Sequence, residues 1–226
     1  MTTQAAQSVG RTLEASIMGQ NIAPSRQLSS EKAEAILNGA MQEFLAHGYA
    51  ATSMDRVAAT AGVSKATIYS HFKDKQGLFV GLIQYLKEEK FNAIFGPLES
   101  QALDGEPKVI LKQLATGMLN SILGDPLALS FVRLIMAESE RFPELARAFI
   151  SQTPSASLKI VGRYLKLHPE LNLPDPEVAA RMFIGTLIHY VLFHELLYGK
   201  EFMPMERERL VDGLVQMLTH QVIAEK

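Results

Sequence analysis

One short run, TSMDRVAATAGVSKATIYSHFKDK at residues 52–75, constrains the fold of this chain more than any other stretch. Gly62 falls where the end of a helix favours a residue that tolerates left-handed backbone angles, and Ser64 follows as a cap for the next helix. Val63 lies between them as an apolar plug for the corner. The run therefore predicts two short helices joined by a tight turn, which is the helix-turn-helix arrangement.

The second of these helices has an unusual outer face. Ile68 and Phe72 are four residues apart, so they share the inner face of the helix. The outer face has no acidic residue, although a solvated surface helix normally carries glutamate beside lysine. Its hydroxyl and ammonium groups suit phosphates and base edges in the major groove, and its small alanine allows a close approach of the backbone. The outer residues are Lys65, Ala66, Thr67, Tyr69, Ser70 and His71.

Residues from about 31 to 82 resemble the DNA-binding domain of the TetR (tetracycline-repressor-like) family of bacterial transcription regulators. The matching elements are Phe44, Leu45, Gly48 and Tyr49 at the end of a first helix, AGVSKATIYSHF through the second of the two short helices, and KDKQGLF at the start of the helix after it. The second short helix is the one expected to read the DNA sequence and is called the reader helix. This resemblance covers about a quarter of the chain by motif, and the remainder by architecture alone. It implies a regulator that binds DNA as a homodimer.

The resemblance also implies contacts with double-stranded DNA on and beside the reader helix. The six outer residues of the reader helix would contact the DNA, together with Ser64, which lies at the start of that helix. Thr52 and Ser53 would touch phosphate from the start of the preceding helix. Lys75 would hold a phosphate beside the N-terminus of the following helix, where backbone N–H groups already favour an anion. Thr52 and Ser64 are also expected as N-caps, with or without DNA.

Composition limits the kind of protein this chain is. With 226 residues, of which 47% are hydrophobic, the chain is long enough to bury a core in one large or two small domains. The net charge is −2 and residues 1–75 carry only +1, so any attraction to DNA depends on a few placed cations. The absence of cysteine excludes disulfides, thiolate zinc sites and cysteine nucleophiles, and it fits a reducing cytoplasm.

No segment predicts export, membrane insertion or catalysis. The first 28 residues lack the apolar core of a signal peptide, and no later stretch approaches 18 uninterrupted apolar residues, so we expect a cytoplasmic protein. There is no phosphate-binding glycine loop, catalytic triad or metal-ligand spacing, so we expect neither an enzyme nor a cofactor. His189 and His194 are five residues apart, which separates them by about 140° on a helix and disfavours a shared metal.

Helical periodicity predicts an all-α fold, which the resemblance divides into three parts. These are a flexible arm at residues 1–28, an N-terminal three-helix helix-turn-helix domain at residues 29–80, and a C-terminal helical bundle for ligand binding and dimerisation at residues 81–226. In the arm, Arg11 and Arg26 leave a minor-groove contact open as an alternative to a solvated tail. Further helices are predicted at 29–47, 75–95 with a stop at Gly96 and Pro97, 107–123, 126–139, 143–151, 154–167, 176–198 and 204–224.

The last two predicted helices carry more apolar surface than one bundle needs. The helix at 176–198 is apolar nearly all round, and such a helix must be buried on every side. The helix at 204–224 repeats the excess, with Leu214 and Leu218 among its apolar residues. Together they predict a homodimer interface made by the same pair of helices from each protomer, and a larger intramolecular core is the alternative. A homodimer would also match the two half-sites of a palindromic operator.

Aromatic and methionine side chains gather in the C-terminal half, which is typical of an adaptable apolar cavity. By the resemblance, such a cavity would bind a small hydrophobic effector. For each residue taken singly, ordinary core packing is the alternative. The candidate lining residues are Met118, Phe131, Met136, Phe142, Phe149, Phe183, His189 and Phe193.

These features predict a ligand-responsive DNA-binding transcription regulator, most simply a repressor that a hydrophobic effector releases from a palindromic operator. Within DNA binding, an activator or a regulator without an effector is the alternative. From another class, the alternative is a helical small-molecule carrier or an enzyme that uses the cavity. A palindromic DNA footprint would favour regulation, whereas turnover of a cavity ligand would favour the enzyme.

Overall fold

The computed structural model describes residues 24–99 and 105–219, with side chains for residues 30–98 and 105–219. Over these ranges the secondary structure is helical, without a β-strand, which confirms the predicted all-α class. The helices are α1 (Pro24–Ala51), α2 (Met54–Thr60), α3 (Lys65–His71), α4 (Lys75–Leu86), α5 (Asn92–Glu99), α6 (Pro107–Leu123), α7 (Pro126–Glu138), α8 (Pro143–Gln152), α9 (Pro154–Lys166), α10 (Pro176–His189) and α11 (Arg207–Thr219). Segments of π-helix extend α4 (Lys87–Phe91) and α10 (Tyr190–Leu196), and 3₁₀ turns occur at Pro169–Leu171 and Gly199–Glu201.

Helix α1 begins earlier than its sequence predicts. It starts at Pro24 instead of residue 29, so the last residues of the predicted arm are helical. The rest of the arm, with Arg11, lies outside the described residues, and so does the side chain of Arg26. The predicted last helix is described as far as Thr219, and residues 220–226 lie outside the described residues.

The fourth helix runs further than predicted. Helix α4 passes through its π-helical extension directly into α5, beyond the predicted stop at Pro97. Phe91, Phe95 and Leu98 are all buried, and their spacing keeps one apolar stripe on the core across the proline. Burial of this stripe therefore outweighs the helix-breaking tendency of Pro97.

Local capping signals explain why two of the C-terminal helices begin where predicted. Asp125 caps α7 and Asp175 caps α10, and each carboxylate accepts hydrogen bonds from two backbone N–H groups of the first turn. Pro126 and Pro176 occupy the first helical position, where a backbone N–H group has no helical acceptor and its absence costs nothing.

Two hydrophobic cores follow one another along α4. The N-terminal core is built from α1–α4, but it also contains Phe131 and Ile135 of α7 and Leu145 of α8. The C-terminal core joins the π-helical extension of α4 with α5, α6, α9, α10 and α11. Helices α7 and α8 therefore pack on the N-terminal helices, although they follow residue 81 in the chain.

Within the part of the chain that the structure describes, no single helix is both long and apolar enough to cross a membrane. Among the described helices, α6 and α7 taken together reach that length and composition, and this pair is bent by 81°.

Candidate functional site

The turn between α2 and α3 has the geometry that its sequence predicts. Gly62 has a φ angle of 66°, in the left-handed region that favours glycine, and the next N–H group donates to the carbonyl of Ala58 at 3.0 Å. Ser64 caps α3 by accepting a hydrogen bond from the N–H of Thr67 at 3.1 Å. Ile68 is fully buried, which anchors α3 on the N-terminal core and turns its opposite face outward.

The outer face of α3 presents the six predicted reader residues. Thr67 and His71 are half-buried, and the other four side chains are exposed. Tyr69 is 46% exposed, which is high for a large aromatic side chain. The Ser70 hydroxyl donates to the carbonyl of Thr67 at 2.7 Å, so its oxygen remains available as an acceptor. The structure thus gathers these residues on one solvent-facing surface.

Lys65 forms an ion pair with an acidic residue of the neighbouring helix α2. Its Nζ lies 2.8 Å from the carboxylate of Asp55 on α2, and the hydrogen bond and charge of this carboxylate raise the pKa of Lys65. Both side chains are more than half exposed. The pair is therefore solvated and weak, and a phosphate can take the place of the carboxylate.

The structure corrects both roles predicted for Thr52. Its side chain is buried, and its hydroxyl lies 3.0 Å from the carbonyl of Glu43 and 2.8 Å from the carbonyl of Gly48, so it faces the interior and not a phosphate. Ser53 caps α2 instead, accepting a hydrogen bond from the N–H of Arg56 at 3.3 Å, and it is exposed. Adjacent hydroxyl residues look alike in a sequence, and the fold of the preceding turn decides which one points inward.

The ammonium group of Lys75 donates hydrogen bonds to backbone carbonyls of the same chain. It donates to the carbonyls of Tyr49 at 2.7 Å, Ala50 at 3.0 Å and Thr52 at 2.9 Å, and it lies 4.5 Å from the centre of the Tyr49 ring. Partial burial lowers the pKa of Lys75, and the nearby carboxylate of Glu138 opposes that change. Because all three of its protons are taken by carbonyls, Lys75 has no free donor for the predicted phosphate contact. It ties α4 to the end of α1.

A cavity of about 490 Å³ is lined by residues of both cores, and this volume is in the range of small-molecule sites. Its walls come from α4 and its extension, α5, α6, α7, α8, α9 and the α10 segment, and they include no acidic side chain. The π-helical extension contributes Lys87, Lys90 and Phe91, which are not among the predicted lining residues because that prediction was limited to the segment from Met118 to Phe193. The predicted lining residues that do border the cavity are Met118, Phe131, Met136 and Phe149.

The other four predicted lining residues lie elsewhere. Phe142 packs edge-on against Tyr49 in the N-terminal core, with ring centres 4.8 Å apart. Phe183 is fully buried in the C-terminal core. His189 and Phe193 are exposed and stack on each other at 4.9 Å. Aromatic composition does not show which residues of α10 and its extension face the core, the cavity or the solvent. The residues of this segment that line the cavity are Ile184, Leu187, Ile188, Val191 and Leu192.

Within the described ranges no three His, Asp or Glu side chains are grouped closely enough to hold a metal ion.

The outer side of α10 and α11 carries apolar side chains that the described part of the chain leaves uncovered. Val178 and Met182 on α10 are 50% and 54% exposed, and Met217 on α11 is 74% exposed. Leu214 and Leu218 are instead buried in the C-terminal core of the chain itself. Both also line the outer groove that Met182 and Met217 border, so their place in a dimer interface stays a prediction.

Comparison with known protein sequences identifies the family. The profile of bacterial regulatory proteins of the tetR family matches residues 36–82, and the profile of the C-terminal domain of AefR-like transcriptional repressors matches residues 110–220. The uncharacterised HTH-type transcriptional regulator YhgD of Bacillus subtilis (strain 168) is 42% identical over 84% of this chain and 95% of its own length. The uncharacterised regulator YerO of the same organism is 31% identical over 86% of this chain and 68% of its own length.

Solved structures agree with this assignment. The flavonoid-responsive regulator FrrA has a TM-score of 0.66 and 29% identity, covering 84% of this chain and 95% of its own. A TetR-family regulator from Mesorhizobium loti has a TM-score of 0.65 and 26% identity, covering 84% of this chain and 96% of its own. The chain therefore belongs to the TetR family of bacterial transcription regulators, a group of helix-turn-helix DNA-binding proteins.

Replacing Tyr69 by alanine is expected to weaken operator binding about 5- to 150-fold, since one contact made by a reader side chain is worth about 1–3 kcal/mol. Fluorescence anisotropy on a palindromic operator, selected from random duplexes, measures the change. Tyr198→Ala is the matched control, because Tyr198 is 63% exposed and lies beyond α10. Helicity should be unchanged in both variants, and unaltered operator affinity in Tyr69→Ala would remove Tyr69 from the contact surface.

Replacing Lys75 by methionine is expected to lower the free energy of unfolding by about 2 kcal/mol, because three carbonyls lose a charged donor. Urea denaturation measures this loss. Lys73→Met is the control, since Lys73 is exposed and lies two residues away. If Lys75→Met kept its stability but lowered the salt dependence of DNA binding by about one unit, Lys75 would be a phosphate contact after all.

Proposed function

We propose that this chain is a homodimeric transcription repressor that a small, largely apolar effector releases from a palindromic operator. One observation carries the proposal: the cavity and the N-terminal helices share α4 as a common wall. Ile83 and Leu86 of α4 line the cavity, followed by Phe91 of its extension. The first turn of the same helix holds Lys75, which is bonded to the segment that leads into α2. A molecule in the cavity would therefore act on a helix that orients the reader.

The effector would act by shifting a population of conformations. It changes the balance between two arrangements only as far as it binds one of them more tightly than the other. Two reader helices enter successive major grooves when they are separated by roughly 34 Å, so a rotation of α4 in each protomer alters the fit to both half-sites at once. Operator affinity then falls without any direct contact between effector and DNA.

The relatives support both parts of this proposal. The profile that matches residues 110–220 describes repressors, which favours repression over activation. FrrA is a flavonoid-responsive regulator, which favours a small effector with a large apolar surface. The cavity agrees with that chemistry, since its lining residues are mostly aliphatic, aromatic or methionine and include no acid that would attract a cation.

Dimerisation would use the uncovered apolar side of α10 and α11. Val178 and Met182 lie four residues apart on α10, so they share one face, and Gly185 continues that face with open space around it. On α11, Met217 borders the same groove as Met182. A second copy of the chain would cover these side chains and bring a second reader helix to the operator.

Replacing Met217 by glutamate is expected to give monomers that no longer bind the palindromic operator, since an unpaired carboxylate at a buried interface costs several kcal/mol. Light scattering at micromolar concentration and operator anisotropy measure the two effects. Leu167→Glu is the control, because Leu167 is 61% exposed at the end of α9. A wild-type chain that is monomeric at this concentration would contradict the two-half-site model.

Covalent occupation of the cavity tests effector control without knowledge of the effector. The chain contains no cysteine, so Val132→Cys adds one thiol at a cavity-lining position. Labelling with benzyl methanethiosulfonate is expected to weaken operator binding by about 5- to 150-fold, the usual range of allosteric coupling, and a reductant should restore it. Ala137→Cys is the matched control, since Ala137 is an exposed residue of α7 outside the cavity lining. Equal operator affinity before and after labelling at position 132 would contradict the proposal.

A further inference from the structure

Glu138 connects the last turn of α7 to the end of α1. Its Oε1 accepts a hydrogen bond from the backbone N–H of Tyr49 at 3.0 Å, although the two residues are 89 positions apart in the chain. The contact is partly buried. It therefore connects α7, which lies in the predicted ligand-binding part of the chain, with the segment that precedes the helix-turn-helix.

The backbone at this point is built around the carboxylate. Gly48 has φ and ψ angles of 76° and 167°, which interrupt the helical dihedral angles of α1 immediately before Tyr49. A Cβ atom at Gly48 would lie 2.9 Å from Oε1 of Glu138 and would displace it. Glycine is thus required at position 48 both for its left-handed φ and for the approach of Glu138.

The segment that Glu138 holds also positions the reader. The carbonyls of Tyr49, Ala50 and Thr52 bind the ammonium of Lys75 at the start of α4. The Thr52 hydroxyl donates a hydrogen bond to the carbonyl of Gly48, and α2 begins shortly after Thr52, at Met54. A displacement of the N–H of Tyr49 therefore moves the starts of both α2 and α4.

The other end of the connection is the cavity wall. Ile135 and Met136 line the cavity from the same helical turn as Glu138, and Ser139 lines it from the next position. Phe142, just beyond α7, packs on the ring of Tyr49 whose N–H Glu138 holds. A molecule that pushes on α7 from inside the cavity would accordingly change the position of the Glu138 carboxylate.

We propose that Glu138 is a positioning residue that transmits occupation of the cavity to the DNA reader, by a contact from α7 that acts in addition to the cavity wall formed by α4. The inference rests on the proposed function, because it assumes that the cavity controls DNA binding. Loss of the contact uncouples the two sites while leaving each of them intact. A residue that only stabilised the fold would lower the unfolding temperature and leave the response to the cavity unchanged.

The experiment uses the Val132→Cys chain, with and without the benzyl label, and adds substitutions at position 138. Glu138→Gln keeps an oxygen at the same reach and should keep the label-induced loss of operator affinity. Glu138→Asp keeps the charge but is one methylene shorter, and Glu138→Ala has no acceptor. In both, operator affinities with and without label should agree within about twofold, compared with the 5- to 150-fold expected for coupled sites. Glu140→Ala, which removes an exposed acid two residues away, is the control and should respond normally.

A second measurement reads the contact itself. Amide hydrogen exchange at Tyr49 should be faster in Glu138→Asp and Glu138→Ala than in Glu138→Gln and the control, because its N–H loses its acceptor. If Glu138→Asp and Glu138→Ala fold and respond to the label as the control does, the inference is overturned and the proposed function stands. If the label changes operator affinity in none of the proteins, the proposed function fails and this inference fails with it. If Glu138→Ala does not fold, Glu138→Asp against Glu138→Gln decides between the same outcomes.

Discussion

The burial of one continuous helical segment in two cores is the constraint on which the rest of this structure depends. Leu78 and Phe79 of α4 are buried among the N-terminal helices, whereas Phe91 and Phe95 are buried in the C-terminal core. Each fully buried aromatic or aliphatic side chain contributes about 1.5–3 kcal/mol, so neither end of the segment can leave its core cheaply. A change in one half of the protein must therefore be accommodated by the other half, or by the π-helical turn between them.

Local chemistry explains which parts of the fold could be predicted from the sequence. Gly62, Ser64 and Ile68 define the turn and inner face of α3 through contacts within a few residues, and the structure reproduces that geometry. The roles of Thr52 and Lys75 could not be predicted in this way. Lys75 finds its partners 23 to 26 residues earlier, at a helix end whose shape depends on Gly48 and on a carboxylate 89 residues from Tyr49.

The same distinction between local and long-range contacts applies to the cavity. Composition correctly indicated apolar walls, since Phe131 and Met136 line the cavity, but it could not separate them from Phe183, which lies in a core, or from Phe193, which faces outward. Those three environments differ in which helices pack against α7 and α10, and periodicity within one helix does not contain that information. Lys87 and Lys90 lie within the predicted helix at 75–95, but the predicted lining was based on aromatic and methionine side chains, and that criterion does not select lysine.

The two cations predicted to meet DNA are held differently in the free protein. Lys65 has one exposed partner, Asp55, and water competes for both charges, so exchange of this carboxylate for a phosphate changes the free energy little. Lys75 donates to three carbonyls under partial burial, and its withdrawal would leave those carbonyls without a partner. The proposed DNA contacts would then come mainly from Lys65 and the other outer residues of α3, and with a chain of net charge −2 a single reader would bind weakly. In the proposed homodimer, two linked readers would make so few contacts sufficient, and operator affinity would then depend on the spacing between the two readers.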